Sequence, residues 1–473
     1  MINKNLEMSL NGPIIKSIIS LSIPILFANL LQSAYQLTDA FWVGRLGGDA
    51  VASVSVSFPI TFLVISLGSG FAIAGSTLIA QYAGAKNQIM VNHIAAQTLV
   101  MVAIVSLFFG SLGYLLAPII LSLMGISQGV YVDALSFLRV SFIGIIFVFA
   151  FAMFQSIMRG LGEVKMPMKI VMGTVLLNFL VDPLFIFGYG FVPALGVSGA
   201  AMATLITQGI ATIIGLYVLL NGKYHIHLKL HDFKPDISYI KKAFRLGFPS
   251  SMEMSARSLG MLAITFLIAS FGTQAVASYG AGGNVLQLVM IPAMGLSMST
   301  SVLVGQNIGA KNIARASKIA KISSLLGFLL LTFVGIIIFV LAEYFIKFFI
   351  PSDISIIDGG AHFLRIVSLT FGFIGLQLAT SGVFRAAGNM KTTLAITLIG
   401  QWIIQLPVAY YLSKNTTLGI DGIWYSFVIT NILTALISVL WFIKGDWKKK
   451  TLTSEERIKE KIIEEVIIEE GVR

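Results

Sequence analysis

The chain contains no cysteine, which excludes disulfide bonds, a thiol nucleophile and any metal site built on thiolates. Charged residues are also scarce, at 11% of 473 residues, while 56% of the residues are hydrophobic and the mean hydropathy is +0.90. A soluble protein of this length could not cover its surface with so few charges. The sequence has no G-x-x-x-x-G-K-[ST] loop for ATP, and no nucleophile and base can be paired for catalysis. These absences argue against a soluble protein, against ATP-driven work by a P-loop and against an enzyme.

What the chain does contain is a series of long apolar runs separated by short loops. About 20 apolar residues cross the ~30 Å hydrocarbon layer of a membrane as a helix, whereas a barrel strand would need about ten alternating residues. The sequence therefore predicts an all-α integral membrane protein with twelve transmembrane helices, at residues 13–43, 51–83, 94–124, 131–158, 168–191, 195–221, 243–271, 276–306, 320–351, 358–384, 393–413 and 417–443.

The net charge of +11 is unevenly placed along this series. With a cytoplasmic N-terminus, the outer loops carry only Arg45, Lys347 and Lys414, and most other Lys and Arg residues lie in the inner loops and tails. The positive-inside rule then predicts a multi-pass protein of the cell inner membrane with both termini in the cytoplasm. The basic charge reflects this topology and contact with anionic lipids, not nucleic-acid binding. The polar N-terminus and the long first span predict no cleaved signal peptide.

The two halves of the chain repeat each other. Ala50–Ser53 recurs as Ala275–Ser278, and Gly84–Asn87 recurs as Gly309–Asn312, both at an offset of 225 residues. Later matches continue this register with small shifts. Because each half contains six spans, an even number, both halves begin on the same side of the membrane. We therefore predict a parallel repeat about a pseudo-two-fold axis along the membrane normal.

The repeat predicts four regions, which are an N-lobe at 1–221, a cytoplasmic linker at 222–242, a C-lobe at 243–443 and a charged cytoplasmic tail at 444–473. The linker carries His225, His227 and His231, whose spacing suits either a metal ion or a plain solvated segment. Within the tail, Thr453–Glu470 mixes Ile and Val with charged residues and predicts a cytoplasmic amphipathic helix.

The first candidate site lies in the first span, where Asp39 is the only Asp, Glu, Lys, Arg or His after Lys16. Gln32, Tyr35 and Gln36 precede it by seven, four and three residues and therefore share its helix face. A carboxylate at membrane depth with polar neighbours is by default a functional residue. The alternative is an interfacial Asp at a helix end.

The second candidate site lies in the fifth span, where Asn178 and Asp182 share a face at i and i+4. Pro183 disfavours helical geometry at Asp182, so we expect a helix break that frees backbone carbonyls for a desolvated cation. The alternative is that Asp182 caps the span end. Thr204 in the sixth span offers a hydroxyl, although a lone Thr more often packs and bonds its own helix.

Two charged carboxylates in a bundle interior are costly, at about 2.5–3.5 kcal/mol each to insert. A bound proton, Na⁺ or organic cation relieves their repulsion, so such a pair suits cation exchange. The repeat positions of Asp39, Asn178 and Asp182 in the second half are Ile264, Ile404 and Val408. We therefore predict an asymmetric site in the N-lobe, with the C-lobe mainly a wall.

Two further features concern the helices themselves. Glu253 and Arg257 stand at i and i+4 in the seventh span and are expected to pair with each other. Pro24 lies inside the first span and is expected to bend it, which makes it the candidate helix hinge.

These motifs together resemble the multidrug and toxic compound extrusion transporters over about residues 10–445. The resemblance rests on the six-plus-six repeat, on Val43–Gly47 after Asp39, on the repeated Gly-Ala-Lys-Asn, on Arg159-Gly160-x-Gly162 and on Asn178-x₃-Asp182-Pro183.

The resemblance implies a V-shaped pair of lobes that alternates access and exports amphipathic, often cationic drugs. It implies coupling to Na⁺ or H⁺ entry, no other cofactor and a monomer in membrane lipid. It maps the coupling site onto Asp39, Asn178 and Asp182, with Thr204 as the match from the sixth span. It also places Gln32 in the substrate cavity, which we extend to Tyr35 and Gln36, and the helix bend at Pro24. Some members carry acids in the seventh and tenth spans, whereas this tenth span has none after Asp358.

We therefore predict a secondary antiporter that exports organic cations or amphipathic drugs in exchange for Na⁺ or H⁺. One alternative is a flippase for a lipid-linked precursor, which would need a strongly basic cavity to hold phosphate. Another is a passive channel, although two pseudo-symmetric lobes favour rocking about a midplane site.

Overall fold

The computed structural model describes residues 4–190, 192–222, 224, 226–351 and 353–453, and within these ranges the regular elements are helices. The α-helices are α1 Lys4–Asn11, α2 Ile14–Val43, α3 Gly48–Gly84, α4 Gln88–Leu123, α5 Gln128–Gly160, α6 Lys165–Phe187, α7 Val197–Leu220, α8 Ile237–Ala269, α9 Thr273–Gly309, α10 Ile313–Phe349, α11 Ile354–Ser368, α12 Phe371–Ala386, α13 Met390–Leu398, α14 Leu406–Lys414 and α15 Ile420–Lys444. Short 3₁₀ turns lie at Gly44–Leu46, Leu230–Phe233 and Asp446–Lys448. A π-helical segment, Ile399–Gln405, joins α13 to α14.

The all-α membrane fold is confirmed. In the described part of the chain, eleven helices are long and apolar enough to cross a membrane, counting α13 to α14 as one. A twelfth span forms if α11 and α12 are taken together, although they bend by 55°. The tenth span, predicted at 358–384, is formed by two helices, because α11 ends at Ser368 and α12 begins at Phe371. After the bend α12 closes on α10, where a Cβ on Gly375 would lie 2.1 Å from the carbonyl oxygen of Gly327.

The linker predicted at 222–242 overlaps the first turns of helix α8. Helix α8 already begins at Ile237, where the Asp236 side chain caps its first turn. Gln97 of α4 donates to the carbonyl of Asp232 at 2.7 Å, which ties the linker to the N-lobe. Among the described residues no three His, Cys, Asp or Glu side chains group as metal ligands, and His225 is outside them. The predicted tail helix is also outside them from residue 454 onward.

Each half folds into its own bundle, and the halves meet along a few helices. Helix α3 packs against α8 and α9, and α2 packs against α9. In the repeat α2 corresponds to α8 and α3 to α9, so the α2–α9 and α3–α8 contacts are pseudo-symmetric copies of each other. This arrangement places the pseudo-two-fold axis between α3 and α9.

The closest approach of the two halves is a crossing of α3 and α9 at their last turns. A Cβ on Gly84 would lie 1.8 Å from the carbonyl oxygen of Gln306, and a Cβ on Gly309 would lie 1.8 Å from that of Gln81. Real Cβ atoms essentially never approach within 3.0 Å. Only glycine permits this crossing, and both of its copies belong to the repeated Gly-Ala-Lys-Asn motif.

The remaining residues of the motif turn the chain after the crossing. Lys86 and Lys311 have φ values of 56° and 60°, and they are the non-glycine residues of positive φ in the described ranges. Asn87 then caps α4 by accepting from the Met90 amide at 3.1 Å. The corresponding Asn312 caps α10. The motif therefore encodes a crossing, a left-handed turn and a helix start.

The halves separate away from this crossing. The C-terminal parts of α3 and α9, residues 70–84 and 295–309, are buried on nearly every side. Their N-terminal parts, residues 48–67 and 273–288, bury one helix face only. The structure is therefore closed at the end that carries the repeated turns and opens as a cleft towards the other end.

Candidate functional site

The two acidic stretches meet inside the N-lobe, where α2 packs against α6 and α7 lies beside both. Thr204 Oγ1 donates to Asp39 Oδ2 at 3.3 Å, and Asn178 Nδ2 donates to Asp182 Oδ1 at 2.9 Å. Asp39 also lies close enough to Asp182 and Asn178 to interact with both electrostatically. Asn178 and Asp182 are fully buried. All four residues predicted as the coupling site therefore form one cluster.

The oxygens of this cluster lack enough donors. Asp39 Oδ1, Asp182 Oδ2 and Asn178 Oδ1 are buried and have no hydrogen-bond partner among the described residues. Burying unpaired oxygens, above all on carboxylates, is costly. Two carboxylates, an amide oxygen and a hydroxyl are the hard oxygen ligands that suit a proton or a small cation such as Na⁺.

The predicted helix break at Asp182–Pro183 does not occur, because α6 continues as Lys165–Phe187. The loop that follows supports its last turn, since the Leu195 amide donates to the Phe185 carbonyl at 3.0 Å. These tertiary contacts outweigh the local preference of the residue before proline. The proline still removes one helical donor, the one that would have bonded the Phe179 carbonyl.

The neighbours of Asp39 on α2 divide into two groups. Tyr35 is 3% exposed, and its hydroxyl hydrogen-bonds the hydroxyl of Thr207 on α7. It therefore packs with the acid cluster, whereas Gln32 and Gln36 are exposed. Helix α2 runs unbroken through the buried Pro24, so the hinge stays a prediction.

The charged pair expected in the seventh span has a third member. Arg385 at the end of α12 donates to Glu253 Oε1 at 2.6 Å, whereas Arg257 is 3.7 Å from the same oxygen. The predicted Glu253–Arg257 contact exists, but Arg385 is the closer partner. Sequence reasoning missed it because the two residues are 132 positions apart. The available signal was Arg385 standing at the repeat position of Arg159.

Parallel six-span lobes around a cleft, with a carboxylate pair buried in one lobe, define a multi-pass membrane transporter. The MatE family model matches residues 24–184 and 249–411, once in each half. The chain therefore belongs to the MatE family of multidrug efflux transporters, which are not enzymes.

Named relatives agree with this family. The chain is 29% identical to the probable multidrug resistance protein YpnP of Bacillus subtilis (strain 168), over 94% of this chain and 98% of YpnP. It is 30% identical to the probable multidrug resistance protein YoeA of the same organism, over 91% and 94%. The crystal structure of MATE in complex with MaL6 superposes with a TM-score of 0.88 at 26% identity, covering 95% of this chain and 100% of that one.

Proposed function

We propose that this protein is an antiporter that exports organic cations or amphipathic drugs in exchange for Na⁺ or H⁺ bound at Asp39 and Asp182. The observation that carries the proposal is the set of three buried, unpaired oxygens in the N-lobe cluster. A proton shared by the two carboxylates, or a cation held between them, would supply the missing partner. An organic cation competing for the same negative charge would be released when the coupling ion binds.

The packing of α2 supports coupling between this site and the cleft. Helix α2 carries Asp39 at one end and packs against α9 of the other lobe. Near its other end, Ser22 Oγ lies 2.6 Å from Ser299 Oγ of α9. A change in the packing of α2 against Asp182 would therefore be transmitted along the helix to the interface between the lobes. Pro24, two residues from Ser22, is the position where α2 would bend.

The topology proposed from the charges gives the cleft a direction. With both termini in the cytoplasm of a cell inner membrane, the closed crossing faces inward and the cleft faces outward. Gln32 and Gln36, exposed on α2, and Tyr35 beside Asp39 are the proposed N-lobe contacts for the drug. The alternative of a flippase is disfavoured, because a phosphate entering this lobe would meet two carboxylates. We propose that the transporter acts as a monomer.

Ethidium efflux from proteoliposomes tests the proposal, with a Na⁺ gradient and a pH gradient imposed separately. The wild type should transport under at least one gradient, and that gradient identifies the coupling ion. The double variant Asp39→Asn, Asp182→Asn should lose gradient-driven efflux. The control Asp49→Asn removes an exposed carboxylate at the start of α3 and should transport normally. Full gradient-driven efflux by the double variant would overturn the assignment.

A further inference from the structure

The C-lobe contains a cavity of about 150 Å³ between α8, α9, α12, the π-helical segment and α15. Its wall combines aromatic side chains, including Tyr279 and Phe427, with amides from Gln401 and Gln405. Arg257 also lines it. The wall of this cavity is therefore neither purely apolar nor acidic.

This cavity lies at the repeat position of the N-lobe acid cluster. At the offset of 225, Ile264 in its wall corresponds to Asp39, and Arg257 corresponds to Gln32. Thr430 in its wall corresponds to Thr207 at an offset of 223. The C-lobe cavity thus carries a guanidinium in its wall, where the corresponding part of the N-lobe carries carboxylates.

The charge at the cavity is unbalanced. Among the described residues, Glu253 is the carboxylate that contacts both Arg385 and Arg257, so these three side chains carry one positive charge in excess. Arg385 takes the short contact. Beyond its 3.7 Å approach to Glu253, the Arg257 guanidinium has no hydrogen bond within the described ranges, and its side chain is 35% exposed. Its planar donors are therefore free to bind an anion.

Two backbone and side-chain features also favour a ligand here. The hydroxyl of Thr430 is buried in the cavity wall with no partner among the residues described. The π-helical segment Ile399–Gln405 brings Gly400, Gln401 and Gln405 to the wall. Such segments are rare and are found often at functional sites. An unpaired hydroxyl and a widened helix turn both suit a bound polar group.

We propose that this cavity binds the carboxylate of an aromatic acid, with Arg257 as the anion partner and Tyr279 and Phe427 packing on the ring. Arginine recognises carboxylates through two parallel N–H donors, and aromatic rings stack on planar bodies. Binding itself is independent of antiport. Transport of such acids or zwitterions, as distinct from their binding, depends on the function proposed above.

Calorimetric titration of the purified protein in detergent tests the binding with three probes of the same shape. These are 2-naphthoate, neutral 2-naphthylmethanol and cationic 2-naphthylmethylammonium. The wild type should bind 2-naphthoate at least about tenfold more tightly than either of the others, because a charged hydrogen bond carries that difference. Equal affinity for the neutral probe would overturn the proposal, even without any variant.

Variants then locate the site. Arg257→Gln should weaken 2-naphthoate binding by about tenfold to a hundredfold. It should leave 2-naphthylmethanol unaffected. The Arg257→Gln variant should still fold, because Glu253 keeps Arg385 as its close partner. Thermal unfolding checks this. Arg139→Gln, which removes an exposed arginine stacked on Tyr114 in the N-lobe, should bind normally. Unchanged affinity in Arg257→Gln, or an equal loss in Arg139→Gln, would refute the assignment.

The double variant Asp39→Asn, Asp182→Asn separates this proposal from the antiport mechanism. It should bind 2-naphthoate like the wild type, because its substitutions are in the other lobe. Loss of binding there would place the anion outside the C-lobe cavity. Failure of ethidium efflux, by contrast, would leave the binding result intact.

Discussion

Replacing Gly84 by alanine should open the closed end of the transporter. The new methyl would lie 1.8 Å from the Gln306 carbonyl oxygen, whereas ordinary van der Waals contact begins at 3.4 Å. The obstacle is backbone and cannot rotate away. Helices α3 and α9 must therefore part locally by about 1.5 Å, judged from ordinary contact distances.

That separation breaks hydrogen bonds between the lobes. Gln81 Nε2 donates to the Ala386 carbonyl at 2.7 Å, and its repeat mate Gln306 Nε2 donates to the Gly160 carbonyl at 3.0 Å. Two such bonds contribute about 0.5–1.5 kcal/mol each. Losing both costs about 1–3 kcal/mol, which is a shift of roughly 5- to 150-fold towards states open at this end.

The absence of cysteine makes this shift measurable. Cysteine is nearly isosteric with serine, and Ser299 of α9 is fully buried against α2. The Ser299→Cys variant therefore carries the chain's single thiol at a buried position. Its reaction with a water-soluble maleimide reports opening of the closed end when closing is fast relative to labelling. Adding Gly84→Ala to this variant should accelerate maleimide labelling by roughly 5- to 150-fold.

A matched substitution makes the test decisive. Gly173→Ala makes the same change in helix α6, where no atom lies within 4 Å of the added methyl. It should label like the parent. Equal labelling rates in the Gly84→Ala and Gly173→Ala proteins, with equal thermal stability, would refute the view that the glycine crossing holds this end closed.

Two further predictions concern stability. Arg385→Gln should lower the free energy of unfolding by about 3 kcal/mol, because it strips the buried Glu253 of its close partner. Arg365→Gln, which breaks a half-exposed pair with Glu343, should cost less than about 1 kcal/mol. Thermal unfolding in detergent compares them, and equal costs would contradict the reasoning. Lys86→Gly should stabilise the protein by at most about 1 kcal/mol because it relieves a φ of 56°, whereas Lys86→Ala keeps that strain. A gain with alanine as large as with glycine would rule out backbone strain as the cause.

Much of this architecture was predictable because membrane burial leaves a strong signal. Apolar runs gave the spans, and the constant offset of repeated motifs gave the parallel lobes. The meeting of Asp39 with Asp182 followed from placing each acid on a polar helix face. The helical cores themselves are built from these long apolar segments.

The errors arose where tertiary contacts decide the backbone. The bend after Ser368 has neither proline nor glycine at the break itself, Leu369–Thr370, and Gly372 follows only in the first turn of α12. At Pro183 the local preference was real, but loop contacts kept the helix intact. The partner of Glu253 and the polar C-lobe cavity depend on residues far apart in the chain. Periodicity within a single helix cannot show either of them.

The reciprocal contact of Gly84 and Gly309 is the kind of contact that two identical subunits make about a two-fold axis. In such a dimer any substitution would be imposed on both sides at once. Joining the two halves in one chain removes that constraint while keeping the shared crossing. One half can then hold the carboxylates of Asp39 and Asp182 where the other has Ile264 and Val408, and the other half can place the Arg257 guanidinium at the repeat position of Gln32.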